Sequence, residues 1–216
     1  MRTLPRDFVV ILHESEKTMR KLLALNKKGK LCLRGADGIE SEIHTGRRNA
    51  LLLVDTSGSM AGPKIEQAKS GAIDFVHSAA SRGYATALAI FADRAAMVCD
   101  PTIDTVLFMR KIDRLEVGIV GGTTNLAAGL DLADKFPELA AVVVVTDGQT
   151  NDNDAALKAV FPLKSRGVDI ICIGTDDADR NFLKQLATRS DLAVHVQSKE
   201  LSSAITSASR LLRAGK

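Results

Sequence analysis

From Ala50 onward the apolar positions of this chain switch between two rhythms. Short uninterrupted apolar runs read as buried strands, and longer stretches with apolar residues three and four apart read as helices. Residues 50–55, Ala-Leu-Leu-Leu-Val-Asp, predict the first strand. Lys64–Arg82 then carries Ile65, Ala68, Ala72, Phe75, Val76 and Ala79 at the spacing of one helical face. Tyr84–Ala92 predicts a second strand and Ala95–Cys99 a short edge strand. Helices are expected over Thr105–Leu115 and Asn125–Phe136, with Gly118, Gly121 and Gly122 in the loop between them. Ala140–Thr146 holds four consecutive valines and reads as a central buried strand. A helix over Ala155–Arg166 is expected to kink or stop early at Pro162. Val168–Gly174 predicts a strand, Arg180–Thr188 a helix, Leu192–Val196 a strand, and Ser202–Leu212 a closing amphipathic helix. Such alternation predicts an α/β fold. Its doubly wound, mostly parallel sheet would carry helices on both faces and one short antiparallel edge strand.

Residues 1–47 do not follow this rhythm and read as a separate N-terminal extension, leaving 48–216 as the main domain. Glu14–Asn26 predicts a helix with Met19, Leu22 and Leu23 facing inward. Lys30–Arg34 and Ile39–Ile43, around Ala36-Asp37-Gly38, predict a hairpin. The extension is basic: residues 1–49 hold 11 Lys and Arg against 6 Asp and Glu, whereas the remainder holds 18 against 20. A solvated basic face is the simpler reading of that surplus, and an anionic partner the sharper one. The overall charge of +3 is too weak to indicate nucleic acid.

A chain of 216 residues can bury a sizeable core, and its lack of Trp with a single Tyr favours helices on a parallel sheet over a sandwich. Cys32, Cys99 and Cys172 are odd in number and show no CxxC spacing, so buried free thiols in a reducing compartment are expected. Phe8–Leu12 is too short for a secretory h-region, and no apolar run is long enough to cross a bilayer. The expectation is a cytoplasmic protein without membrane contact.

The chemistry gathers at strand ends. The run Leu51-Leu52-Leu53-Val54 ends in Asp55-Thr56-Ser57-Gly58-Ser59, which delivers a carboxylate and two hydroxyls to one loop. Hard oxygen donors of this kind suit Mg2+ without neutralising it completely. Two further strand-to-helix junctions carry matching residues: Gly121-Gly122-Thr123-Thr124-Asn125, and Thr146-Asp147-Gly148 at the tip of the most apolar strand. Ligands of open parallel sheets bind at this rim. Taken singly, each residue also has a structural use: Asp55, Ser57 and Ser59 in a turn, Thr124 as a helix cap, Asp147-Gly148 as a turn pair.

Asp55-x-Ser57-x-Ser59, a later Thr and a distant Asp147 after an apolar strand together resemble the von Willebrand factor type A family and its metal-ion-dependent adhesion site. The resemblance covers about residues 48–213 and implies a Rossmann-like fold. It also implies that Ser57 and Ser59 coordinate the cation, with Asp55 and Asp147 binding directly or through water. Thr124 matches the family threonine better than Thr123, because Gly129 stands five positions after it. The expected ion is Mg2+, with Mn2+ or Ca2+ as substitutes, and a partner protein's Asp or Glu completes its shell. Lys64-Ile65-Glu66-Gln67-Ala68-Lys69 is similar to intracellular prokaryotic members, which implies an adaptor or assembly factor and an AAA+ ATPase of the MoxR or chelatase type as partner.

Rival chemistries fit less well. Asp55-Thr56-Ser57 departs from the aspartic protease triplet, Gly118–Thr124 lacks the Gly-Lys-Ser/Thr of a phosphate loop, and Met60 occupies the centre of what would be a nucleophile elbow. His13, His44, His77 and His195 are dispersed, so no general base stands beside Asp55 or Asp147. The expectation is therefore a non-enzyme. A Mg2+-dependent hydrolase is the alternative, and binding through the basic extension with a structural metal is a third. Asp176-Asp177-Ala178-Asp179 and Asn151-Asp152-Asn153-Asp154 read as solvated loops and helix caps before they read as further cation sites.

Overall fold

The computed structural model describes residues 48–136 and 138–213, together with the backbone of four short strands nearer the N-terminus. The chain divides into two compact units, Met1–Arg47 and Arg48–Lys216.

In the first unit β1 (Ile11–Leu12), β2 (Leu22–Leu25), β3 (Leu31–Arg34) and β4 (Glu40–Glu42) form one antiparallel sheet in that order. The expected hairpin is β3–β4, with Leu33 opposite Ser41. The expected helix over 14–26 is corrected at its end, since Leu22–Leu25 pairs with β3. Leu22-Leu23-Ala24-Leu25 is apolar at every position, so a helical face and a strand fit it equally well until a neighbouring strand decides. Residues 14–21 and 26 of that expectation lie outside the described residues.

The second unit is built on a six-stranded sheet in the order β10-β9-β8-β5-β6-β7. Its strands are β5 (Arg48–Asp55), β6 (Tyr84–Phe91), β7 (Ala95–Thr102), β8 (Leu139–Thr146), β9 (Asp169–Thr175) and β10 (Ala193–Val196). All neighbours are parallel except β6 and β7. The mostly parallel, doubly wound fold with an antiparallel edge strand is thus observed. β7 runs three residues beyond the expected Cys99. Pro101 is tolerated there because an edge strand has one free side, and slips in register around Leu88 accommodate it.

Among the described residues six α-helices flank the sheet: α1 (Pro63–Ser81), α2 (Thr105–Ile112), α3 (Leu126–Asp134), α4 (Asn153–Ser165), α5 (Arg180–Leu186) and α6 (Leu201–Ala208). α1 packs against α2 and α6, while α3 packs against α4 and α4 against α5. Proline at the first turn starts α1 where its missing N–H costs nothing, and Gly83 (φ 82°) supplies the left-handed turn into β6. The predicted face of α1 is the buried one. Phe75 and Val76 are fully enclosed, and burying such side chains contributes roughly 1.5–3 kcal/mol each. α4 does not stop at Pro162; it continues to Ser165. Pro162 lies within the last turn and faces solvent, so its ring displaces little.

The chain leaves β5 for β6 and β7 on one side, then returns to β8 and continues outward through β9 and β10. The winding direction therefore reverses between β5 and β8, and their carboxyl ends flank the crevice where such folds bind ligands.

Candidate metal centre

Asp55 closes β5 and is completely buried. Its Oδ1 accepts from the Ser57 backbone N–H at 2.8 Å and its Oδ2 from the Thr146 hydroxyl at 2.6 Å. Burial pushes the Asp55 carboxyl above the ordinary carboxylate range, while the hydrogen bonds from Thr146 and Ser57 pull the other way. The loop beyond it turns through a short 3-10 segment, Gly58–Met60, with Met60 packed into the core. This turn sets the Ser57 and Ser59 hydroxyls 3.2 Å apart. Ser59 in turn donates to Asp147 Oδ1 at 2.8 Å, across 88 residues of sequence.

The threonine arrives on the second loop. A methyl group added to Gly148 would lie 3.5 Å from Thr124 Oγ1 and 3.7 Å from Ser59 Oγ, so both hydroxyls border the same glycine. Thr124 is buried, and its carbonyl accepts from the Asn151 N–H at 2.9 Å and from the Thr150 hydroxyl at 3.0 Å. Thr123 is turned elsewhere: its hydroxyl donates to Asp93 Oδ1 at 2.5 Å and accepts from Asn151 Nδ2 at 2.9 Å. The structure therefore brings Asp55, Ser57, Ser59, Thr124 and Asp147 to one crevice and leaves Thr123 outside it.

Backbone bonds fasten the loops to one another. Gly58 N–H reaches Gly122 O at 3.1 Å, Gly118 N–H reaches Thr56 O at 3.0 Å, and Asn125 N–H reaches Ala92 O at 2.8 Å. Among the described residues no three His, Cys, Asp or Glu side chains form a cluster able to hold a metal. The donors on offer are thus two carboxylates and three hydroxyls, all oxygen. That set fits a hard divalent cation better than zinc or copper, which favour nitrogen and sulfur.

Three contributors were not foreseen as part of the site. Lys64 extends its ammonium to Asp147 Oδ2 at 2.5 Å and Asp176 Oδ2 at 2.8 Å. Burial alone would lower its pKa, but the hydrogen bonds and charges of Asp147 and Asp176 outweigh this and raise it. Asp176, exposed on the loop after β9, is held below the ordinary carboxylate range by Lys64 and then by Ser198. Asp93 receives the Thr123 hydroxyl and its N–H, the latter at 2.7 Å, and these bonds hold its carboxyl low. A sequence signal existed for Asp93: it follows β6 by two residues, and β6 adjoins β5, so it had to fall on the same rim.

The other candidates have structural roles. Asp152 caps α4 and Asp179 caps α5, as expected. Cys99 and Cys172 are buried free thiols. His77 is exposed on α1 and His195 lies on the edge strand β10; neither hydrogen-bonds to a site residue. Among the described residues no helix is long and apolar enough to cross a membrane.

Residues 50–149 match the family model described as the von Willebrand factor type A domain. Solved structures agree on the fold. Proximal thread matrix protein 1 from the mussel byssus is 22% identical with a TM-score of 0.66, over 77% of this chain and 46% of that one. A further structure of the mussel protein has a zinc-occupied MIDAS motif. The manganese-loaded TRAP protein of Plasmodium vivax is 21% identical with a TM-score of 0.60, over 74% of this chain and 72% of that one. A von Willebrand factor type A protein from Catenulispora acidiphila is 16% identical with a TM-score of 0.62, over 94% and 49%. The chain thus spans about half the length of the mussel protein. No curated protein matches it.

Proposed function

We propose that this domain is a metal-dependent protein-binding module whose intact adhesion site holds Mg2+ through Asp55, Ser57, Ser59, Thr124 and Asp147. The observation that carries the reading is the convergence of those five side chains from three loops at the switch point between β5 and β8. A cation held by so few charges keeps an electrophilic face, and when bound it supplies an open position for a carboxylate. The protein's part is to hold that cation: Thr146 and Ser57 fix the Asp55 carboxylate, Ser59 orients Asp147, and Asn151 and Thr150 steady Thr124.

On this reading the ligand is an Asp or Glu of a partner protein, and the domain acts as an adaptor or assembly factor without chemistry of its own. A cytoplasmic setting and an AAA+ ATPase of the MoxR or chelatase type complete the proposal. The zinc-occupied and manganese-loaded structural neighbours support a divalent cation at this position, and the choice of Mg2+ rests on the all-oxygen donor set. The test is affinity capture with the full chain, in Mg2+ and in chelator, beside Asp55→Ala. Partner capture should vanish in both control arms. Capture that survives chelator and Asp55→Ala alike would sink the reading.

A further inference from the structure

Lys64 approaches the site from outside the five-residue set. It stands at the second position of α1, directly after Pro63, and its ammonium lies between two carboxylates. One of them, Asp147, has no exposed side-chain surface; the other, Asp176, is about a third exposed. Asp176 is itself held in place. Its Oδ1 accepts from Ser198 Oγ at 2.5 Å, its backbone takes a left-handed φ of 51°, and the next residue's N–H bonds the Asp147 carbonyl at 3.2 Å. A non-glycine residue in that conformation is held there by its surroundings, though Asp tolerates it better than most.

We propose that Lys64 is a tethered internal cation that competes with the divalent ion for Asp147, with Asp176 as the anchor that keeps the ammonium beside the site. The inference rests on the metal-binding reading above. The two buried carboxylates offer a charge of −2, and a lysine at 2.5 Å from one of them, shared with Asp176, offsets part of it and occupies an oxygen the ion would use. Charges in a partly dry crevice act strongly on one another. Lys64 thereby weakens the site's hold on a cation by itself. An incoming carboxylate restores the missing negative charge, so cation and partner reinforce each other's binding, as reciprocal linkage requires. The device would make the domain retain its ion firmly only when the partner is present.

Calorimetric titration of the full chain with Mn2+ tests this, using wild type, Lys64→Met, Lys64→Arg and Asp55→Ala, each first checked by thermal melting. Lys64→Met should bind Mn2+ about tenfold more tightly than wild type, a size ordinary for coupled charges in one site. Lys64→Arg, which keeps the charge, should stay within about threefold of wild type on the same grounds. Equal or weaker binding by Lys64→Met overturns the proposal while leaving the metal site standing, because Lys64 then merely orients Asp147. Silence from wild type and Lys64→Met alike, or heat undiminished in Asp55→Ala, overturns the metal reading and the proposal with it. Asp176→Asn should tighten Mn2+ binding in the wild-type background by releasing the ammonium, and should leave it unchanged or slightly weaker beside Lys64→Met. Equal losses in the two backgrounds overturn the anchoring role of Asp176.

Discussion

The Thr146 hydroxyl donates to Asp55 Oδ2 at 2.6 Å, joining the carboxyl ends of the two strands between which the sheet reverses direction. Val54 pairs with Val145 in the parallel register, so the next residue on each strand brings Asp55 and Thr146 to the same level. The bond serves both stability and site geometry. It satisfies a buried carboxylate, and it fixes which oxygen remains for Ser57. Thr146→Val keeps the shape and removes the donor, leaving that oxygen unsatisfied. We expect a loss of about 1–3 kcal/mol in urea unfolding, together with weaker Mn2+ binding. Unchanged stability would mean that Asp55 finds another donor.

Asp93 acts at a distance of one residue from the candidate ligand Thr124. Its carboxylate gathers the Thr123 hydroxyl and N–H, and a Cβ at Gly121 (φ 118°) would collide with it. Asp93→Ala should free the 121–125 loop while leaving the buried core intact. The expected result is weaker Mn2+ binding and faster amide exchange at Thr123 and Thr124, with the melting temperature nearly unchanged. A melting loss without an exchange change would assign Asp93 to the fold and not to the loop.

α1 and α6 approach closely at Gly71. A Cβ there would stand 2.7 Å from the Ser202 carbonyl oxygen and 2.8 Å from Ile205 Cβ. Alanine normally favours a helix over glycine by about 0.5–1 kcal/mol. At this contact overpacking should outweigh that gain, and Gly71→Ala should destabilise by about 1–3 kcal/mol net. Chemical denaturation measures it directly; a stabilised variant would show that α6 can shift without cost.

How much of this was legible beforehand depends on the kind of force involved. The runs Leu51–Val54 and Val142–Val145 announced central strands because burial on both faces leaves no polar position to confuse the pattern. That Asp55, Ser57, Ser59, Thr124 and Asp147 meet at one crevice was legible in part because strand ends fix where their loops must lie, while the choice of Thr124 over Thr123 came from the family resemblance. Leu22–Leu25 was not, since an all-apolar tetrapeptide obeys both periods. Lys64 was seen only as part of a helix, because a long side chain can reach any of several neighbours and its direction is set by tertiary charges. Asp176 looked like an ordinary loop acid for the same reason: its partners Lys64 and Ser198 lie 112 and 22 residues away.

Cys172 allows a test of burial by pH. It sits in the middle of β9 with no exposed surface, and burial pushes its thiol from 9.0 up to about 12, with Lys164 opposing weakly. The folded chain therefore keeps the proton where the unfolded chain has lost it. Between pH about 9 and about 12 the unfolded state binds fewer protons, so stability falls as pH rises through that window. Below pH 9 the thiol is protonated in both states and contributes no slope. Cys172→Ala should lower stability overall by leaving a small cavity, yet flatten the alkaline part of the profile relative to wild type. Urea unfolding of both proteins from pH 8 to pH 11 measures the two slopes. Parallel slopes would show that the thiol ionises in the folded protein as readily as in the unfolded one, and that β9 opens to solvent at that point.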